Sequence, residues 1–68
     1  LIIVEVKAKK VIKLLRDNGF KEVSVNGDHH KFANAEGIVT VVPYSQKGDT
    51  IYPGTLNAIL KQTGLKNK

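Results

Sequence analysis

Gly19, Gly27, Gly37 and Pro43 punctuate the middle of the chain and leave three short runs between them: Phe20 to Asn26, His29 to Ala33 and Ile38 to Val42. The firmest boundary is Asn26-Gly27-Asp28, because Asn and Gly tolerate positive φ and such a connection closes a hairpin. Asn34 to Gly37 supplies a second turn, the third run is rich in β-branched residues, and Pro43 ends it. In the first run Val23 and Val25 alternate with Glu22, Ser24 and Asn26. The pattern predicts an antiparallel three-stranded meander.

A helical run flanks it on each side. Over Lys7 to Asn18, Ala8, Val11, Ile12 and Leu15 form one apolar stripe, with Lys9, Lys10, Lys13 and Arg16 mainly away from it. Gly19 suits a left-handed C-cap, and Lys13 and Arg16 complement the helix dipole. Tyr44 to Tyr52 reads as a polar connection. Pro53 and Thr55 open a second helix, Leu56, Ile59 and Leu60 are its apolar face, and Gly64 with Leu65 closes it. The order is α-β-β-β-α, an α+β fold with both helices on one face of the sheet.

Alternation then sorts the strand side chains. Phe32 is the large apolar residue of the second strand and belongs under the helices, with His30 on its side. His29 and Lys31 point to the open face. Placing Val39 and Val41 inward puts Thr40 outward. The expected open face is Glu22, Ser24, Asn26, His29, Lys31 and Thr40.

A chain of 68 residues is one domain, residues 1–68, and buries roughly 60% of the surface that it exposes when unfolded. It has no Cys, so disulfides and thiolate metal sites are excluded, in keeping with a reducing cytoplasm. Eleven Lys and Arg against six Asp and Glu give a formal charge of +5. Such a surplus suits a polyanion, either nucleic acid or an acidic protein, and equally suits plain solubility. No apolar run reaches the roughly 18 residues of a membrane span. Leu1-Ile2-Ile3-Val4 is short for a signal sequence and has no basic stretch before it. The first residue is not Met, which fits a fragment, a processed product or a misread start. Residues 1–6 read as an uncertain N-terminal extension.

Gly27-Asp28-His29-His30-Lys31-Phe32, followed by Pro53-Gly54-Thr55-Leu56-Asn57-Ala58-Ile59-Leu60-Lys61-Gln62-Thr63-Gly64-Leu65, resembles the HicA (YcfA-like) toxins of HicA–HicB toxin–antitoxin pairs. In the family's pattern a helix ends in Gly plus an aromatic, here Gly19-Phe20. A Gly-Ser/Thr-His motif follows, with an aromatic three residues after the His, and a closing helix begins Gly-Thr-Leu. The resemblance covers about Lys9 to Leu65. It implies a double-stranded-RNA-binding-domain-like fold, cleavage of mRNA dependent on the motif histidine, here His29, and inhibition by a HicB-like antitoxin. Asp28 stands where the family has Ser or Thr. As a turn residue Asp serves equally well; a hydroxyl that positioned a phosphate would be replaced by a repelling charge.

Histidine is the side chain suited to proton transfer near neutrality, and Lys31 on the same face can meet developing phosphate charge. The residues alone equally allow a surface histidine, and they suit His30 to a half-buried position with backbone partners. Adjacent histidines on a strand point apart and no Cys or further His completes a ligand set, so neither metal nor other cofactor is expected. Lys9, Lys10, Lys13 and Lys47 are candidate phosphate contacts or simply a solvated face, and Lys61 is similar. Pro53-Gly54-Thr55 is either an anion site or ordinary helix-start chemistry. Tyr44 and Tyr52 either stack on bases or fill the underside of their loop. The rival functions are a non-catalytic double-stranded-RNA-binding module and a protein-interaction domain.

Overall fold

The computed structural model describes residues 6–65. The extension read for residues 1–6 lies, apart from Val6, outside the described residues. The elements run β1 (Val6–Lys7), α1 (Ala8–Asp17), β2 (Lys21–Asn26), β3 (His29–Ala33), β4 (Val39–Pro43), β5 (Thr50–Ile51) and α2 (Pro53–Thr63). The expected helix–meander–helix order is present. β2, β3 and β4 form an antiparallel sheet in that order, with β3 central. Pro43 ends β4 as expected, but as its last residue, opposite His29, rather than just beyond it; β4 lies at a sheet edge, where a missing N–H is tolerated.

The two-residue strands β1 and β5 are an addition to the expected order. They pair antiparallel, Val6 with Ile51 and Lys7 with Thr50. Segments this short show no alternation, so the sequence carried no signal for them.

α1 ends as its sequence implies. Gly19 has φ +86°, its N–H donates to Arg16 O at 3.1 Å, and the Phe20 N–H donates to Leu15 O at 2.9 Å. These two bonds define a Schellman cap, and Phe20 and Leu15 join the core as its hydrophobic contact. Neither helix has a side-chain N-cap. The first turn of α1 instead donates to the connection before β5, Ala8 N to Asp49 O at 2.8 Å and Lys9 N to Lys47 O at 2.9 Å. Backbone carbonyls thus satisfy donors that a helix start otherwise leaves unmet.

That connection is held by Asp49, whose carboxylate accepts from the N–H groups of Ser45 and Gln46 at 2.9 and 3.1 Å. The hydrogen bond from Gln46, then that from Ser45, holds the Asp49 carboxyl below the usual carboxylate range.

The core joins Val11, Ile12 and Leu15 of α1, Phe32, Val42, Ile51, and Leu56 and Ile59 of α2. Phe32 is fully buried. Opposite it on β4 lies Thr40, also buried, whose hydroxyl donates to Gln62 Oε1 of α2 at 2.7 Å. Val39 and Val41 are 41% and 38% exposed, so β4 turns the opposite way from the expected placing. Hydrophobicity favoured the valines inside; the partner on α2 lets the threonine take that place. β2 also departs. A register shift between Glu22 and Ser24 leaves Glu22 opposite Phe32 while Ser24 lies opposite Lys31. This bulge puts Glu22 on the helix side, and Val23 and Val25 remain exposed.

Phe32→Ala should cost about 3–5 kcal/mol, comparable to the whole stability of so small a domain. The expected outcome is loss of the cooperative thermal melt; a melt like the parent's would show that this ring does not carry the core. Asp49 bears on acid stability. Its carboxyl titrates lower when folded than unfolded, so its contribution is complete above the ordinary value of 3.8 and fades as pH falls through the lowered folded value. Asp49→Asn should therefore flatten the acid limb of stability against pH, measured by urea titration from neutrality downward.

Candidate functional site

The site is built at one end of the β2–β3 hairpin. Asn26 pairs with His29, so Gly27 and Asp28 are the two turn residues. Gly27 has φ +62° and is the turn's only positive-φ residue. Glycine first and a negative φ second is the II′ arrangement, which matches the strand twist. The expected hairpin thus closes at Asn26-Gly27-Asp28, with the positive φ taken by Gly27 rather than by Asn26. The turn is tied to the far strand by the Tyr44 N–H, which donates to Asp28 O at 2.8 Å.

His29 follows this anchored turn and projects from the open face, its side chain 65% exposed. Its Nδ1 lies 3.1 Å from Asp28 Oδ1. Asn26 and Pro43 flank it on the neighbouring strands. Lys31, two residues along, lies on the same face between Ser24 and Val41, about 7 Å away along the strand. Two of the expected open-face residues belong elsewhere: Glu22 because of the bulge, and Thr40 because it faces α2. Val39 and Val41 take their place, so the surface beside His29 and Lys31 is partly apolar.

His30 faces the other way and is half-buried. Its Nδ1 lies 2.7 Å from Glu22 Oε1 and its Nε2 lies 3.0 Å from Tyr44 O. Its ring stacks on Tyr44 with centroids 3.7 Å apart and planes 10° from parallel. One partner is backbone, as expected for a half-buried histidine, and the other is a carboxylate brought in by the β2 bulge. Both neighbours are acceptors, so both contacts are hydrogen bonds only when both ring nitrogens carry hydrogen. Burial, then the charge and hydrogen bond of Glu22, raises the Tyr44 hydroxyl above its usual value, and Arg16 opposes the shift. Tyr44 is therefore a core residue bound to His30, whereas Tyr52 is exposed.

The lysines singled out in sequence separate into groups. Lys9 and Lys13 of α1 meet Lys47 of the connection in one groove with Ile12, Arg16 and Asp17. Lys13 is partly engaged there, pairing with Asp17 at 2.8 Å in an exposed bond that raises its pKa. Lys10 is exposed on α1 and outside this groove, and Lys31 is on the opposite side of the sheet. Arg16, in sequence a partner of the helix dipole, joins this groove, and its spacing from Lys9 and Lys13, seven and three residues, is the signal that places it there. Among the described residues no three His, Cys, Asp or Glu side chains gather as a metal site. Nor is any described helix long and apolar enough to cross a membrane.

The sequence matches the family described as HicA toxin of bacterial toxin-antitoxin systems over residues 8–65. The chain belongs to the HicA toxin family. A search of curated proteins finds no match. The match begins with α1 and ends just beyond α2, so it spans the hairpin with His29, the sheet and both helices. A HicA-family chain is the toxin member of its pair, and the family implies an antitoxin partner.

The two histidines have separable roles. His30→Ala should lower the melting temperature, because it removes two polar contacts and the stack on Tyr44. His29→Ala should leave the melt within experimental error of the parent, because the side chain is exposed and leaves no cavity. Equal losses in the two variants would contradict this division.

Proposed function

We propose that this chain is a metal-independent endoribonuclease acting on mRNA, with His29 as its catalytic residue and Lys31 as electrostatic partner, neutralised by a HicB-like antitoxin in the cytoplasm. The observation that carries the reading is the placing of His29. It is an exposed imidazole, fixed by a tied-down turn, beside a lysine on the same strand face, in a chain of a toxin family.

RNA brings its own nucleophile. His29 takes the proton of the 2′-hydroxyl, whose oxygen attacks the adjacent phosphorus. The P–O5′ bond breaks, the departing 5′-oxygen gains a proton from water or from the protonated His29, and a 2′,3′-cyclic phosphate remains. Lys31 meets the added negative charge at phosphorus. A positioned acid–base group of this kind contributes roughly 10²–10⁴-fold. At Asp28 the family's hydroxyl is replaced without loss of the turn. A non-catalytic double-stranded-RNA binder would not depend on His29.

Induced expression of the chain should arrest growth and degrade mRNA, and His29→Ala should do neither while remaining folded and expressed. Purified protein should cleave in excess EDTA. It should bind but not cut an RNA carrying a single 2′-deoxy nucleotide at the mapped site. Toxicity of well-expressed His29→Ala, or cutting of the deoxy substrate at the usual rate, overturns the reading.

A further inference from the structure

The helix side of the fold carries a concentration of cations that the chemistry at His29 does not use. Lys9, Lys13 and Arg16 are spaced four and three residues apart and so share one face of α1. Lys47 is brought to the same face because its carbonyl accepts from the Lys9 N–H at 2.9 Å. The groove between them has a volume of about 320 Å³, with Ile12 in its wall. A second groove, about 450 Å³, adjoins it at Arg16 and is lined by Arg16, Gly19, Phe20, Lys21 and Glu22. Together they form a track along the ten residues of α1, about 15 Å, ending at the start of edge strand β2.

The charges in this track are unequal. Four cations line it on the helix side, Lys9, Lys13, Arg16 and Lys47, against two carboxylates, and Lys21, which pairs with Ala33 and so belongs to the other face, stands at its end on the β2 edge. Both carboxylates are engaged, Asp17 with Lys13 and Glu22 with His30. Among the described residues no carboxylate lies within ion-pair distance of Lys9, Arg16, Lys21 or Lys47. Like charges gathered without counter-charges repel each other and do not stabilise a fold. A ligand with regularly spaced negative charges relieves that repulsion along the whole track.

We propose that this track binds the phosphodiester backbone of RNA, as a second contact region separated from His29 by the sheet. The proposal rests on the RNA reading given above and extends it. It assigns affinity to the α1 side and chemistry to the open face, so that one RNA engages both by passing the β2 edge near Lys21. The contact is with phosphates and therefore indifferent to sequence.

The test compares two variants of equal net charge, both in the His29→Ala background so that RNA stays intact. Lys9→Gln/Lys47→Gln removes charge from the track; Lys10→Gln/Lys61→Gln removes it outside. Binding of a fluorescein-labelled mixed-sequence RNA, single-stranded and duplex in separate arms, is followed by anisotropy across a salt series. The track variant should lose roughly tenfold in affinity near 0.1 M salt. The slope of log K against log[salt] should fall by about 0.7 per lost contact for single strands or about 0.9 for duplex. The arm with the larger loss identifies the form of RNA held. The control should stay close to its parent. Equal losses in the two variants would reduce the track to diffuse charge and overturn the proposal, as would no loss in either, or failure of the parent to bind RNA. A track variant that binds RNA normally but loses an acidic protein partner would reassign the surface to that protein. If the track fails while His29 remains essential for toxicity, the nuclease reading stands alone.

Discussion

The strict alternation of β3 is the constraint on which the rest of the structure depends. His30 and Phe32 go under the helices, and His29 and Lys31 go to solvent. With a side-chain period of two, a slip of one residue would place His29 and Lys31 against the core and expose the Phe32 ring. Both outcomes are costly, one as buried charge and the other as lost burial. Burial of Phe32 thus does two things: it closes the core and it aims the imidazole. The backbone bond from Tyr44 to Asp28 adds a second restraint at the turn itself. The catalytic role proposed for His29 calls for rigid elements of this kind, since small displacements are costly to rate.

What the sequence disclosed follows from how local each signal is. The α1 stripe, the Gly19 cap, the Gly27 turn and the outward placing of His29 and Lys31 each depend on residues close together in the chain, and all are present in the fold. The errors arose where a distant partner decided the outcome. Thr40 is inside because Gln62, on another element, accepts a hydrogen bond from its hydroxyl. Glu22 changes face because β2 gains a residue against β3, which period-two reasoning within a single run cannot reveal. The β1–β5 pair and the meeting of Lys47 with Lys9 are contacts between residues some forty positions apart. The helical spacing of Lys9, Lys13 and Arg16 was visible, but what faces it was not.

The connection between β4 and β5 links these parts. It begins at Tyr44, which stacks on His30, continues through the Asp49-held turn, and supplies carbonyls to the first turn of α1. Through it the inward histidine, the start of α1 and the Lys47 side of the basic groove belong to one hydrogen-bonded unit. A polar stretch that looked like a simple linker therefore orients a helix and a surface together, as loops with fixed ends often do.

The bulge at Val23 has a consequence for how this chain meets others. β2 is an edge strand with exposed side chains along its whole length, the kind of border on which a stray strand from a neighbouring molecule can add itself. Because β2 changes pace midway, an incoming regular strand can follow it only part of the way before donors and acceptors fall out of step. The irregularity that moves Glu22 toward His30 also leaves the border of the sheet a poor template for self-association.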